Sequence, residues 1–267
     1  MRRRHFIPLL LLLVTVSVTL RAQIISVDQT DTCSYVHKTA FNLNASLGAE
    51  IDKQKYTLID ASNTLDAALQ HYRELFIFSG SERATYDEQQ NFLNTGYLHL
   101  RYRHNYRNKI HPEAFVQYQW DEKIGMLRRS LAGINIRYNF YRQDKLELTF
   151  GTGLMYEAEE WDYDAVDSSD IPADPANPVT HLIKSSTYFK CDWKTSPNTR
   201  VVAAVFLQER TDAFFRYPRI SQLLHWYVDV GKHVDLDIGY SGMYDSRPVV
   251  PISKYYYSII TSLLFHI

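Results

Sequence analysis

Residues 132–140 read Ala132-Gly-Ile-Asn-Ile-Arg-Tyr-Asn-Phe140. Ala132, Ile134, Ile136, Tyr138 and Phe140 occupy every second position, and Gly133, Asn135, Arg137 and Asn139 occupy the positions between. Only a β-strand sends successive side chains to opposite faces, so this stretch is a strand with one apolar and one polar face. The same period runs outward in both directions, from about Phe41 to Ile267. Toward the N-terminus, Ala114, Val116, Tyr118 and Trp120 oppose Glu113, Gln117, Gln119 and Asp121, and Leu98, Leu100 and Tyr102 oppose His99, Arg101 and Arg103. Farther back, Phe41, Leu43, Ala45, Leu47, Ala49 and Ile51 alternate with Asn42, Asn44, Ser46, Gly48 and Glu50, while Tyr56–Leu69 and Tyr72–Ser81 are blurred. Toward the C-terminus come segments around Leu146–Tyr156, Lys184–Trp193, Arg200–Arg210, Ile220–Val230, Val234–Tyr240 and Tyr255–Ile267.

A strand greasy on one side and charged on the other separates two solvents. Beyond the first 22 residues no apolar run reaches the ~18 residues of a spanning helix. A membrane encounter would therefore require a barrel. About twelve segments, about 20 residues apart, give the even strand number of single-chain outer-membrane barrels. With an even count both termini face the periplasm, and connections after even strands should be tight turns. Asn105–Pro112, Arg142–Lys145, Thr195–Thr199 and Gly231–His233 are such turns, rich in Asn, Pro, Gly and basic residues. The odd-side connections, Gly80–Gln90, Asp121–Arg128, Glu157–Thr180, Glu209–Pro218 and Asp245–Pro251, are longer on average. The expected fold is all-β: a single transmembrane antiparallel up-and-down β-barrel of about 12 strands over residues 37–267. A secreted soluble β-sandwich or small-ligand barrel is the alternative, since those also alternate.

The N-terminus reads as a secretory signal peptide over residues 1–22. Arg2, Arg3 and Arg4 precede the apolar stretch Phe6–Leu20, and Ala22 offers a small residue before a cut that leaves Gln23 first. Residues 23–36 would be a short periplasmic segment. The expected location is the bacterial outer membrane. Twenty tyrosines suit aromatic girdles at the two membrane interfaces. The C-terminal alternation with Phe265 and Ile267 is similar to the insertion signal read by the barrel-assembly machinery. Outer-membrane lipid and lipopolysaccharide are the other expected partners. A net charge of −1 argues against nucleic acid. Cys33 and Cys191 could pair in an oxidising compartment but form no disulfide framework. The oligomeric state is left open.

Four stretches carry a family resemblance: Leu100-Arg-Tyr-Arg-His104, Glu113-Ala-Phe-Val-Gln117, Arg128-Arg-Ser-Leu-Ala-Gly133 and Gly151-Thr-Gly-Leu-Met-Tyr-Glu157. Together they resemble the salt-induced outer membrane protein family, the domain of unknown function numbered 481. The resemblance covers most of the mature chain. It implies an outer-membrane barrel with no established activity, so there are no catalytic residues to carry over.

The polar faces hold the candidate residues. His99, Arg101 and Arg103 would face Glu113, Gln117, Gln119 and Asp121 on the next strand, with Arg137 and Glu147 beyond. Opposite charges on neighbouring strands attract across a ladder. They form either a network that fills the lumen or a polar constriction that selects solutes. Eight strands are filled by side chains and about 16–18 leave a channel, so about twelve lies between. Glu157, Glu159, Glu160, Asp162, Asp164, Asp167, Asp170 and Asp174 form an acidic run, read as a solvated surface loop or as a divalent-cation bridge to lipid headgroups. A lipid-acting barrel enzyme would need a Ser within reach of a His. Ser221–His225 and His181–Ser185 share a face but stand about 13 Å apart along a strand. No His-x-Ser pair, CxxC or shared His spacing points to catalysis or metal. The expectation is a narrow passive pore or structural barrel without cofactor or enzymatic activity; a lipid hydrolase and a surface-binding protein using the 157–180 loop are the alternatives.

Overall fold

The computed structural model describes residues 39–53, 57–87, 92–173, 175–231 and 234–265. The signal segment, residues 23–36, Cys33 and Ile267 lie outside them. Twelve strands follow one another: β1 (Ala40–Lys53), β2 (Thr57–His71), β3 (Glu74–Asp87), β4 (Phe92–His104), β5 (Ile110–Asp121), β6 (Met126–Gln143), β7 (Leu146–Trp161), β8 (Val179–Ser196), β9 (Thr199–Arg210), β10 (Arg219–Gly231), β11 (Val234–Asp245) and β12 (Tyr255–Phe265). They form one sheet in sequence order. Each strand is antiparallel to the next. The up-and-down order expected from the alternation is therefore the observed one.

The sheet is curled into a half-barrel. Arg129 on β6 donates to Gln208 on β9 at 3.1 Å, Tyr188 on β8 donates to Glu113 on β5 at 2.7 Å, and Arg219 on β10 donates to Glu159 on β7 at 2.7 Å. In a flat sheet, strands three apart lie about 14 Å from each other, beyond the reach of such pairs. Strong curvature brings the side chains together across the concave side. Among the described residues no ladder joins β12 to β1.

The three longest connections share one end of the sheet, as expected. On one end residues 72–73, 105–109, 144–145 and 197–198 turn tightly; on the other, 162–178, 211–218 and 246–254 are long. Two other connections at that end are shorter than the sequence suggests. β3 continues through Arg83 and Thr85 to Asp87, where residues 80–90 read as loop. Its alternation is masked by Glu82 on the outer face, whose carboxylate accepts from Asn63 and Asn94 at 3.3 and 3.0 Å. Between β5 and β6 only residues 122–125 intervene, and Glu122–Ile124 forms one 3₁₀ turn. Asp121 caps it by accepting from the Lys123 N–H at 3.2 Å. Gly125 closes it at φ 74°, a left-handed conformation that a Cβ would oppose.

Polarity is inverted relative to a water-soluble fold. On the convex face Ile134 is 68% exposed, Ile183 57% and Leu154 52%, and Phe150, Phe189 and Trp226 stand beside them. On the concave face Glu113, Arg137, Thr149, Glu157 and Glu159 are buried. Apolar side chains also enter the concave side, as clusters: Leu75, Ile77 and Tyr106 toward the short turns; Phe115, Leu131 and Met155 midway; Met126, Trp161, Val166 and Val250 toward the long connections.

Candidate functional site: a layered polar lumen

The register stacks the lumen into alternating ionic and apolar layers. Nearest the short turns, the Cα pairing Arg103↔Glu113↔Asn135 lines three inward side chains along one row. Glu113 is the centre. It takes Arg103 Nε at 3.2 Å, Arg101 Nη1 at 3.9 Å, Asn135 Nδ2 at 3.2 Å and the Tyr188 hydroxyl at 2.7 Å. The next row places His111 beside Arg137 and Arg137 beside Gly151. Gly151 is needed there: a Cβ would stand 2.2 Å from the Tyr188 ring, which lies over the glycine on its way to Glu113. Arg137 also donates to Asn139 at 3.1 Å and to Thr149 at 3.3 Å, and Glu147 pairs with Arg137 at 3.5 Å and Arg142 at 3.1 Å. Above this layer sits the apolar one, with His99 stacked on Phe115 at 5.9 Å between centroids. His99 bonds Gln117 at 3.1 Å, and Gln117 donates to Gln119 at 2.6 Å.

The second ionic layer is larger and lies toward the long connections. Glu157 receives Arg129 Nε at 2.9 Å, Arg219 Nη1 at 3.0 Å and Lys184 in direct contact. Glu159 takes Arg129 at 3.0 Å, Arg219 at 2.7 Å and the Trp161 indole N–H at 3.2 Å. Arg219 also binds Asp245 at 2.7 Å. Three cations thus face three carboxylates, and Gln119 accepts from Arg129 at 3.4 Å at the edge. Such a set tolerates burial because each charge is paired and hydrogen-bonded. Over it lies the apolar cluster of Met126, Trp161, Val166 and Val250, contributed partly by the long connections. A cavity of about 20 Å³ beneath, lined by Gln119, Met126, Arg129, Arg219, Asp245 and Tyr256, has room for about one water. The Tyr256 hydroxyl is buried there with no hydrogen-bond partner among the described residues.

All nine lumen candidates lie on the inner face, but they do not form one cluster. Arg101, Arg103, Glu113, Arg137 and Glu147 belong to the layer near the short turns. His99, Gln117 and Gln119 bridge toward the second layer, and Asp121 caps the 3₁₀ turn. The acidic run divides. Glu157, Glu159 and Glu160 are on β7, not in a loop: the first two are lumen residues, and Glu160 pairs with Arg128 at 2.5 Å. The reason is register, since Glu157 and Glu159 continue the inward face of Met155. Only Asp162, Asp164, Asp167 and Asp170 are in the connection; Asp174 lies outside the described residues. Burial, with repulsion from Asp164 and Glu122, raises the Asp162 carboxyl above its ordinary value. Among the described residues no group of three or more His, Cys, Asp or Glu is placed to hold a metal ion. Arg129, Arg219, Lys184, Asp245 and Tyr188 were missed as a set. Their inward parity was readable; their convergence was not. The two His–Ser pairs are not brought together: His225 bonds Asp237 at 2.9 Å and His181 bonds the Tyr156 hydroxyl at 2.8 Å. Among the described residues Cys191 has no disulfide partner; its pairing with Cys33 falls outside them.

A family model described as a protein of unknown function, DUF481, matches residues 32–265. The chain belongs to the DUF481 family. No curated protein and no solved structure matches it. The DUF481 match spans all twelve strands, so the layered lumen lies wholly within the family's domain.

Proposed function

We propose that this DUF481 chain is an integral β-barrel of the bacterial outer membrane, delivered by a cleaved signal segment, with a lumen held closed at rest. It is a structural, non-catalytic barrel rather than an open passive pore. The observation that carries the membrane reading is the inversion of polarity. Exposed Ile, Leu, Val and Phe side chains cover the convex face across many neighbouring strands, and soluble monomers rarely expose large contiguous apolar patches. Hydrocarbon is the solvent that fits such a face, and outer-membrane lipid, including lipopolysaccharide, is the partner it implies. Insertion through the barrel-assembly machinery, reading the last strand, accompanies this proposal. The closed state is supported by the two ionic layers and the apolar cluster above them, which leave room for about one water in the cavity at that level.

Planar-bilayer recording of refolded protein tests the closed state. Folding is first verified by the mobility difference between boiled and unboiled samples. The expected result is a heat-modifiable band and no steady current at neutral pH. Stepwise channel currents from the folded protein would overturn the closed reading.

A further inference from the structure

A second cluster stands outside the lumen layers, at the end that carries the long connections. Three guanidiniums gather round one phenol ring: Arg210, Arg216 and Arg247 lie 5.9, 5.3 and 4.7 Å from the Tyr217 centroid. They come from the end of β9, from residues 211–218 and from residues 246–254. Arg210 is paired with Asp212, at 3.0 Å from Nε to Oδ1. Its hydrogen bond holds the Asp212 carboxyl below its ordinary value. Among the described residues Arg216 and Arg247 have no carboxylate partner, and both are exposed. One carboxylate therefore answers three cations, and the cation–π contacts alone supply little against their mutual repulsion.

The same connection carries a strained aromatic. Phe215 sits at φ 60°, an uncommon and costly conformation for a bulky residue. It is held there by its N–H donating to the buried Glu209 carboxylate at 3.1 Å. The strain turns an apolar ring outward: Phe215 is 84% exposed, and Phe214 beside it is half exposed. Exposed aromatics next to unanswered guanidiniums match a ligand that is anionic at one end and apolar at the other. Arg forks suit phosphate oxygens in particular.

We infer that Arg216, Arg247 and Tyr217, with Phe214 and Phe215, form a binding site for the net-anionic phosphate headgroup of a membrane amphiphile. This rests on the membrane reading above. Full-length protein in neutral detergent is mixed with short-chain phosphatidic acid, short-chain phosphatidylcholine or inorganic phosphate, and bound ligand is counted by native mass spectrometry. Heat-modifiable mobility is measured on the same samples, so a failed barrel is seen separately from a failed site. The expected result is retention of phosphatidic acid over phosphatidylcholine, reduced at least tenfold in the Arg216→Gln/Arg247→Gln double variant and unchanged in Arg128→Gln. Phosphatidic acid held at least tenfold more tightly than inorganic phosphate supports the lipid headgroup as the source. Inorganic phosphate bound as tightly as the lipid overturns the amphiphile and leaves a free-anion site. Equal retention of both lipids, or retention indifferent to the double variant in folded protein, overturns the site itself.

Discussion

Glu157 is a carboxylate with no exposed side-chain surface, answered by Arg129, Lys184 and Arg219 from three other strands. Removing its charge leaves those cations without one of their three carboxylates in an enclosed space. Breaking a buried ionic set from one side costs about 3–5 kcal/mol. Glu157→Gln is therefore expected to lower the unfolding free energy of the refolded protein, read from urea titration, by that order, and adding Lys184→Met should return part of the loss by removing the surplus cation. A Glu157→Gln unfolding free energy within about 0.5 kcal/mol of wild type would show that the layer contributes nothing to stability. The residue also marks a limit of sequence reading. The alternation of Leu154 and Tyr156 with their neighbours extends to Glu157 as a polar-face residue, yet four more acids in the next seven residues give the stretch the look of a loop. Density of charge and direction of charge are different signals, and on a strand direction is the stronger one.

At the level of elements, β7 and β8 are joined by shape as well as by hydrogen bonds. Thr149, Gly151, Gly153, Met155, Glu157 and Glu159 make the inward face of β7, and the gap at Gly151 is filled by the Tyr188 ring from the neighbouring strand. A methyl group at Gly151 would displace that ring and break its 2.7 Å bond to Glu113. Overpacking and a lost bond to a buried charge each cost about 1–3 kcal/mol. Gly151→Ala should destabilise by that order. Tyr188→Phe should lose part of the same energy, so that the double variant falls short of the sum. Gly231→Ala, where a Cβ meets nothing within 4 Å, is the matched control and should leave the unfolding midpoint unchanged. Additive effects at Gly151 and Tyr188 would refute the coupling. Of this arrangement, the strand and its inward parity are legible in residues 146–156. The partner of Gly151 is not, because a glycine has no side chain to announce what fills its place.

Across the whole molecule, strand count and strand order followed from a two-residue period, because that period is local and every strand repeats it; connection length followed only in part, since residues 122–125 turn as tightly as the connections at the other end. The layering of the lumen did not follow. Which inward residue meets which is decided by the curl of the sheet: Arg219 reaches Glu159 only because strands three apart are folded toward each other. The outer face, by contrast, needs no such convergence, and there the membrane reading can be tested with one residue. Ile134 lies midway along β6, points outward and is 68% exposed. On a water-solvated sheet face, Ile134→Arg would change stability by no more than about 0.5 kcal/mol. On the lipid face of a barrel near the bilayer midplane it costs about 2–4 kcal/mol. The variant should therefore lose about 2–4 kcal/mol when unfolded from lipid vesicles. Arg introduced at Tyr141, also outward but close to the short turn at 144–145, should lose about 0–1 kcal/mol, because charge at the interface remains hydrated. The gradient between the two positions is the signature of a bilayer around the convex face. Equal, small losses at both would mean that water, not lipid, surrounds it.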